Sequence, residues 1–432
     1  MKLCAAITMS VILLSSCLRS RETQLSGRVT GRDSAIVLRL SDRHVRFRVT
    51  NNVFSGKIHL REGAYVRAHF LPSYRGMLLF LTPGKHLEIT VNAPPTPPLF
   101  AGSLAAINNY LSEQEDFLAL RPHVLRQDEE TFVESMEERL RVKNLLLEAK
   151  NLGSEFTTIE SERIGYLAAE YALRYALARS RLPAPEPYRP GARLRDFISR
   201  FPVDNERMAD VDVFLQFVLA YYSFEMALRD NIREVTTEIV EQVKVQKIKD
   251  HLLSELIYRH IYQRGIKDGE YLLSLCRQEM RDTARIMKIE RVAERWRKLS
   301  AGATAPDVTL RDANGNHSRL REMRGHYLYV VADHTRGMAW TEDSTSLRAI
   351  REHAGKNIRF LHLIFDPSLT FTWKERAREN EPWEHFLVEN WREFYDSYVI
   401  SSFPRYFFID PRGRFVTALA SPSENLFMHV HP

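Results

Sequence analysis

Residues 24 to 92 form short apolar runs in which hydrophobic and polar positions often alternate. A period of two is the side-chain repeat of a strand with one buried face. Turn residues separate the runs, including Gly31, Gly63 and the pair Pro83-Gly84. Many short strands at close spacing favour two packed sheets or a small barrel. We therefore predict an antiparallel β-sandwich over residues 24–92.

The hydrophobic pattern becomes helical after the segment 93–99, whose sequence APPTPPL disfavours both helix and strand. A second proline-rich segment, 183–191, interrupts the helical pattern and predicts a loop. We predict an α-helical domain over residues 103–300. The apolar positions of its first long helix recur at roughly helical spacing, at Phe132, Met136, Leu140, Val142 and Leu146.

From about residue 302 onward, apolar runs of strand length alternate with helical patterns. The run Tyr327–Val330 and the stretch 358–366, IRFLHLIFD, are two such strands. Alternating strands and helices favour an α/β domain, which we predict over residues 302–428. The chain is therefore expected to be multidomain, with a β-sandwich, an α-helical middle domain and an α/β domain in that order.

The first 17 residues have the pattern of a secretion signal. Lys2 is followed by an apolar run that ends at Leu14 and then by small residues. This run is too short to span a bilayer, which takes about 20 apolar residues. Residues 14–17, Leu-Ser-Ser-Cys, resemble the lipobox of bacterial lipoproteins, and the resemblance implies that Cys17 becomes the lipidated first residue. A plain signal peptide with an incidental cysteine is the alternative.

We predict that Cys17 anchors the protein in the outer membrane, facing the periplasm. Two or more acyl chains give stable anchoring. The lipoprotein resemblance implies that an aspartate after the cysteine favours the inner membrane, and here Leu18 follows. Cys17→Ala is therefore expected to move the mature protein from the membrane to the soluble fraction when cells are fractionated. Unchanged membrane association would contradict the anchor.

Charge and histidine spacing argue against two classes of function. The chain has 61 Lys and Arg against 55 Asp and Glu, and no dense basic block is interleaved with aromatic residues. We therefore predict no nucleic-acid partner. His251 and His260 are nine residues apart rather than four, and no Glu or Cys completes a metal-ligand pattern. We interpret His429 and His431 as incidental, and we predict no metal and no cofactor.

The cysteine content limits redox chemistry. Of the three cysteines, Cys4 belongs to the signal and Cys17 to the predicted anchor, which leaves Cys276. One remaining cysteine cannot form an internal disulfide. Because Cys276 lies in the apolar helical stretch YLLSLCRQ, we predict a buried and inert thiol.

The C-terminal region carries two motifs about 100 residues apart. They resemble the lead-in and the "G-x-P-T-x-F-x-I-D" segment of thioredoxin-like domains of the TlpA/ResA and peroxiredoxin type. The resemblance implies a thioredoxin-like fold for residues 302–428, with Pro404 as the cis-proline that faces the redox site. The matching residues are Ala305, Pro306, Asp307, Leu310, Asp312, Gly315, Leu320 and Gly325 in the first motif, and Ser401–Arg414 in the second.

In that family a C-x-x-C pair begins the helix after the central strand, where the helix N-terminus lowers the pKa of the first thiol. Counting back from Leu347 places the four-residue C-x-x-C motif on Gly337, Met338, Ala339 and Trp340, so that its cysteine positions hold glycine and tryptophan. The peroxiredoxin register, which starts at Thr335, puts Met338 at the cysteine. Neither glycine nor methionine forms a thiolate. We therefore predict a degenerate redox loop at residues 337–340, with no catalytic residue.

These predictions favour a redox-inactive, thioredoxin-like envelope lipoprotein that binds or scaffolds a polypeptide. The family resemblance implies this, since in relatives the groove beside the cis-proline receives an extended polypeptide. The alternative is a thiol-disulfide oxidoreductase or peroxiredoxin-like enzyme of the cell envelope. A third hypothesis is a non-thiol enzyme that uses Asp333, His334, Thr335 and Thr341. Against it, the loop matches no hydrolase motif such as G-x-S-x-G, and Thr341 or Asp343 is expected to cap the following helix.

Overall fold

The computed structural model describes residues 21–40, 43–92, 96–113, 124–180, 188–333, 357–365 and 383–420. The chain forms two compact units. The first comprises Met1–Asn231 and Glu241–Ile248, and the second comprises Ile232–Val240 and Lys249–Pro432. The predicted helical domain is thus divided between both units, and the three-domain division stays a prediction.

Two four-stranded sheets make up the β-rich part of the first unit. Its strands are β1 (Glu22–Val29), β2 (Ala35–Arg39), β3 (His44–Arg48), β4 (Val53–His59), β5 (Ala64–Leu71), β6 (Gly76–Leu81), β7 (His86–Val91) and β8 (Leu99–Ala101). One sheet has the order β4-β1-β7-β8 and the other β3-β2-β5-β6. Apolar residues from both sheets, among them Leu25, Phe54 and Phe70, share one buried core.

The pairing of β1 with β7 differs from the antiparallel sandwich that the alternating pattern predicts. These two strands run parallel, with Gly27 opposite Ile89, while the other pairings in the two sheets are antiparallel. A tight hairpin imposes antiparallel pairing, but five strands lie between β1 and β7 along the chain, so their direction is not restricted in this way. Gly27 fits the close approach, because a Cβ atom there would lie 1.9 Å from the carbonyl oxygen of Ile89.

Helix α1 (Ala105–Glu113) covers the β6 edge of the second sheet. The buried Asn108 side chain accepts a hydrogen bond from the backbone N–H of Phe80 at 2.9 Å. Its amide donates to the carbonyl oxygens of Phe80 at 3.0 Å and of Leu104 at 2.9 Å. An edge strand presents unpaired backbone groups. One amide side chain therefore satisfies both backbone groups of Phe80.

Helices complete the first unit. They are α2 (Glu129–Ala149), α3 (Ser154–Ser180), α4 (Ala192–Ser199) and α5 (Asp212–Arg229), with 3-10 turns at Val124–Arg126 and Glu206–Met208. Asp128 caps α2 by accepting from the backbone N–H of Thr131 at 2.9 Å.

The buried face of α2 differs slightly from the predicted apolar stripe. Phe132 and Met136 are buried, but Leu146 is half exposed, and Lys143 and Leu147 take the inner positions. Consecutive helical residues point about 100° apart, so Leu147 and its neighbour Leu146 cannot both face inward. The buried Lys143 side chain places its ammonium over the ring of Tyr110, 5.3 Å from the ring centre, which is a favourable cation–π distance.

Four helices follow α5: α6 (Ile232–Gln242), α7 (Gln246–Arg264), α8 (Gly269–Glu279) and α9 (Thr283–Arg297). Asp282 caps α9 by accepting from the backbone N–H of Arg285 at 3.1 Å. Throughout the described ranges, no helix combines the length and apolarity that a membrane crossing requires.

A seven-stranded mixed sheet lies in the second unit. Its members are β9 (Thr309–Arg311), β10 (His317–Arg319), β11 (Tyr327–Asp333), β12 (Ile358–Ile364), β13 (Glu384–Val388), β14 (Arg405–Ile409) and β15 (Phe415–Thr417), with helix α10 (Trp391–Ser397) between β13 and β14. The order is β10-β9-β13-β12-β11-β14-β15. Strands β11, β12 and β13 are mutually parallel. Strand β14 runs antiparallel to both of its neighbours, β11 and β15. This is an α/β domain whose central strands β13, β12 and β11 are parallel and flanked by antiparallel strands.

Candidate functional site

The carboxyl ends of the three parallel strands form one edge of the mixed sheet. Open α/β sheets bind ligands at this edge, because the loops that follow the strands gather there. Asp333 ends β11 and is buried. The predicted degenerate redox loop 337–340, with His334, Thr335 and Thr341, lies outside the described residues, as do Cys17 and the tail histidines.

Pro404 stands at the same edge. The peptide bond between Phe403 and Pro404 is cis, and Arg405 immediately after it opens β14. In the antiparallel register of β11 and β14, Arg405 lies opposite Ala332, the residue before Asp333. The structure therefore brings two residues singled out from the sequence, Asp333 and Pro404, to one end of neighbouring strands.

Four aromatic side chains next to Pro404 are linked by ring contacts, and we call them the aromatic surface: Phe365, Trp391, Tyr395 and Phe403. The ring of Phe403 lies 5.4 Å from that of Phe365 and 5.5 Å from that of Tyr395, measured between ring centres. Trp391 extends the group from the first turn of α10 at 6.0 Å from Tyr395. Trp391 is 39% exposed, so the group presents part of its area to solvent.

The chain that leads into this segment is held from two sides. The buried Tyr398 hydroxyl donates to the carbonyl oxygen of Pro306 at 2.6 Å. The Tyr262 hydroxyl donates to the carbonyl oxygen of Ile400 at 2.7 Å. Between them, Val399 has a φ of 48°, a left-handed conformation that is rare for a β-branched residue. The backbone before Pro404 is therefore fixed by specific contacts.

Arg405 is buried beneath the same edge, although it carries a charge. The guanidinium carbon lies 4.9 Å from the ring centre of Trp296 and 5.8 Å from that of Phe407. Burial lowers the pKa of Arg405 to about 10, and only the proximity of Tyr262 opposes that shift. In the family segment this position is a threonine, and no apolar or charge pattern in the sequence marks Arg405 as an interior residue.

Sequence reasoning also missed a buried histidine pair. His362 on β12 and His385 on β13 are directly opposite in the parallel register. Their Nδ1 atoms are 2.9 Å apart. One Nδ1 must carry the hydrogen and the other must accept it, so at least one of the two rings is neutral. They belong to different strands, so their sequence spacing gives no local signal for the contact.

The remaining thiol, that of Cys276, lies in helix α8, which precedes the strands of the mixed sheet in the sequence. Cys276 is fully buried and is free. Burial raises the pKa of its thiol to about 12, and nearby Glu290 adds to the rise. A thiol with such a pKa is protonated at neutral pH and does not act as a nucleophile.

A separate open cleft of about 1270 Å³ lies in the first unit. Its walls carry both signs of charge: the basic lining residues are Arg21, Arg43, Arg61, Arg207 and Lys247, and the acidic ones are Glu62, Glu155, Glu206 and Asp210. Lys247 forms an ion pair with Asp210, and Arg207 pairs with the neighbouring Glu162 at 2.7 Å. The balanced charges indicate no particular class of ligand.

No protein-family model matches the chain, and no curated protein matches it either. Solved structures do show similarity. The thioredoxin domain of a thiol-disulfide oxidoreductase from Bacteroides vulgatus is 23% identical, with 28% of this chain and 87% of that chain covered and a TM-score of 0.25. A thiol:disulfide interchange protein from a Bacteroides species is 26% identical, with 28% and 81% covered and a TM-score of 0.25. A thioredoxin-like protein from Bacteroides caccae is 16% identical, with 58% and 98% covered and a TM-score of 0.38.

Proposed function

We propose that the protein is a redox-inactive, thioredoxin-like lipoprotein of the cell envelope that binds an extended polypeptide beside Pro404. The observation that carries the proposal is the aromatic surface on a fixed backbone at the carboxyl edge of the sheet. The lipid anchor at Cys17 and the outer-membrane location belong to the same proposal.

Aromatic side chains favour polypeptide binding for two reasons. Trp, Tyr and Phe are enriched in the cores of protein interfaces, where they bury large areas with few rotatable bonds. A binding segment that is already ordered also loses less conformational freedom when a partner binds. The hydroxyl contacts of Tyr262 and Tyr398 supply that order here.

The alternative function, thiol-disulfide exchange or peroxide reduction, requires an attacking thiolate. Within the described ranges Cys276 is the one cysteine, and its burial raises the pKa of the thiol. Residues 277 to 432 contain no cysteine. A reactive Cys276 would need the surrounding helices to open. The non-thiol hypothesis stays a prediction, because Asp333 is described and His334, Thr335 and Thr341 lie outside the described part of the chain.

The test uses a reduced and carboxymethylated α-lactalbumin, an unfolded polypeptide, labelled with fluorescein. The mature protein is expected to raise its fluorescence anisotropy saturably, and Trp391→Ala is expected to weaken the affinity about tenfold, a typical loss for an interfacial tryptophan. Tyr74→Asn is the control, because Tyr74 is an exposed aromatic of the first unit. Asparagine tolerates the φ of 56° at that position.

Equal binding by Trp391→Ala and wild type, or no binding at all, would contradict the proposal. The alternative function is measured on the same preparations as insulin reduction and peroxide consumption. A rate above background that disappears in Cys276→Ser would establish the redox enzyme instead.

A further inference from the structure

One edge of the Arg405 guanidinium is buried and has no hydrogen-bond partner among the residues that the structure describes. That edge consists of the Nε and Nη2 atoms. The residue is 6% exposed, and within the described part of the chain no Asp or Glu forms an ion pair with it. A buried charge normally has a counter-charge, because an unpaired one loses its hydration without compensation.

The nearest ring adds a second donor of the same kind. The ring of Trp296 lies against Arg405, and its Nε1 atom is also buried without a hydrogen-bond partner in the described ranges. The indole N–H and the guanidinium N–H groups are all donors and have no acceptor capacity. A group that satisfies them must therefore be rich in acceptors, and the positive charge of Arg405 favours an anion.

Other arginines of this chain show what the Nε and Nη2 edge binds. Arg163 uses these two atoms to hold both carboxylate oxygens of Glu160, at 2.6 and 2.8 Å. Arg359 holds Glu384 in the same way, at 2.7 and 2.6 Å. The parallel N–H directions of this edge match the two oxygens of a carboxylate. Arg405 presents the same edge, and among the described residues no carboxylate contacts it.

We propose that Arg405, together with the indole N–H of Trp296, is a binding site for a carboxylate ligand. The site goes beyond the polypeptide-binding function and does not require it, because a free carboxylate satisfies the same donors. A carboxylate of a polypeptide is the second source of this chemistry, since Arg405 directly follows Pro404 beside the aromatic surface.

The first measurement separates a ligand-binding arginine from a structural one. Arg405→Met removes the buried charge and keeps an unbranched chain. If Arg405 awaits a ligand, the substitution is expected to raise the Tm of the protein by about 2 °C or more, because the unpaired charge destabilises the empty site. If Arg405 holds the fold together, Tm falls, and that result would overturn the proposal.

The second measurement identifies the ligand chemistry. Sodium acetate and succinate, titrated at constant ionic strength against chloride, are expected to raise the Tm of the wild type saturably. Neutral acetamide is expected to have no effect, and Arg405→Met is expected to abolish the response. Arg405→Lys keeps the charge but lacks the two-donor edge, so its response is expected to be weaker.

The third measurement distinguishes the two sources. The peptide acetyl-Ala-Phe-Ala is compared with its C-terminal amide in the same assay. A response to the acid form of the peptide but not to acetate or succinate assigns the site to a polypeptide carboxylate, and a response to the free carboxylates assigns it to a small molecule. No response to any carboxylate, or an equal response in Arg405→Met, refutes the site. None of these outcomes depends on Trp391. Failure of the carboxylate site is therefore distinguishable from failure of the polypeptide-binding function, which is tested with Trp391→Ala.

Discussion

Glu160→Gln is expected to lower the free energy of unfolding of the first unit by about 3–5 kcal/mol. Glu160 is fully buried on α3. Its carboxylate accepts from both guanidinium donors of Arg163 and from the Tyr65 hydroxyl of β5 at 2.5 Å. Glutamine keeps the volume but removes the charge, which leaves the Arg163 guanidinium buried without a counter-ion. Breaking one side of a buried ion pair is far more destabilising than losing an exposed one.

The chain offers a matched control one helix earlier. On α2, Glu138 holds Arg141 through the same two guanidinium atoms, at 2.8 and 2.7 Å, and with the same spacing of three residues. The Glu138 side chain is 59% exposed, so Glu138→Gln is expected to change the free energy of unfolding far less than Glu160→Gln does. Urea unfolding followed by circular dichroism measures both variants. Equal losses would show that burial of the Glu160 pair does not decide its contribution.

Asn108→Ala is expected to lower the free energy of unfolding by about 2–4 kcal/mol, because it leaves the N–H and C=O of Phe80 buried without partners. Asn108 makes two of its three hydrogen bonds to Phe80 on the edge strand β6, and the third to the carbonyl oxygen of Leu104. Asn109→Ala is the control, since Asn109 is the exposed neighbour on the same helix. Alanine there is expected to be neutral or slightly stabilising through helix propensity. Hydrogen exchange adds a local readout, because the Phe80 amide should lose protection only in Asn108→Ala.

Local periodicity predicts much of this molecule. The alternating runs from residue 24 onward correspond to strands, and the apolar spacing around Phe132 corresponds to a long helix. These features depend on neighbours within one turn or one strand, which is the range over which a side-chain repeat carries information. The α/β character of the C-terminal region follows from the same reasoning.

The features that periodicity does not predict depend on contacts between distant residues. Glu160 and Arg163 have the spacing of an exposed helical ion pair, and only the approach of Tyr65 shows that they are interior. The parallel direction of β1 and β7 depends on how the strands between them are arranged, which no local pattern records. Arg405 follows a proline at the start of a strand, and its burial against Trp296 depends on helix α9. The candidate carboxylate site was therefore beyond sequence reasoning.

The pairing of β1 with β7 also sets the order in which the sandwich is completed. Gln24 of β1 lies opposite Lys57 of β4 but also opposite His86 of β7. A chain that emerges N-terminus first can form the β1–β4 ladder well before β7 is available. Until then the second edge of β1 remains open, and an open strand edge is where wrong partners add. Pairing between strands so distant in sequence slows folding. The time for which this edge of β1 remains open therefore depends on how quickly the residues between Lys57 and His86 emerge.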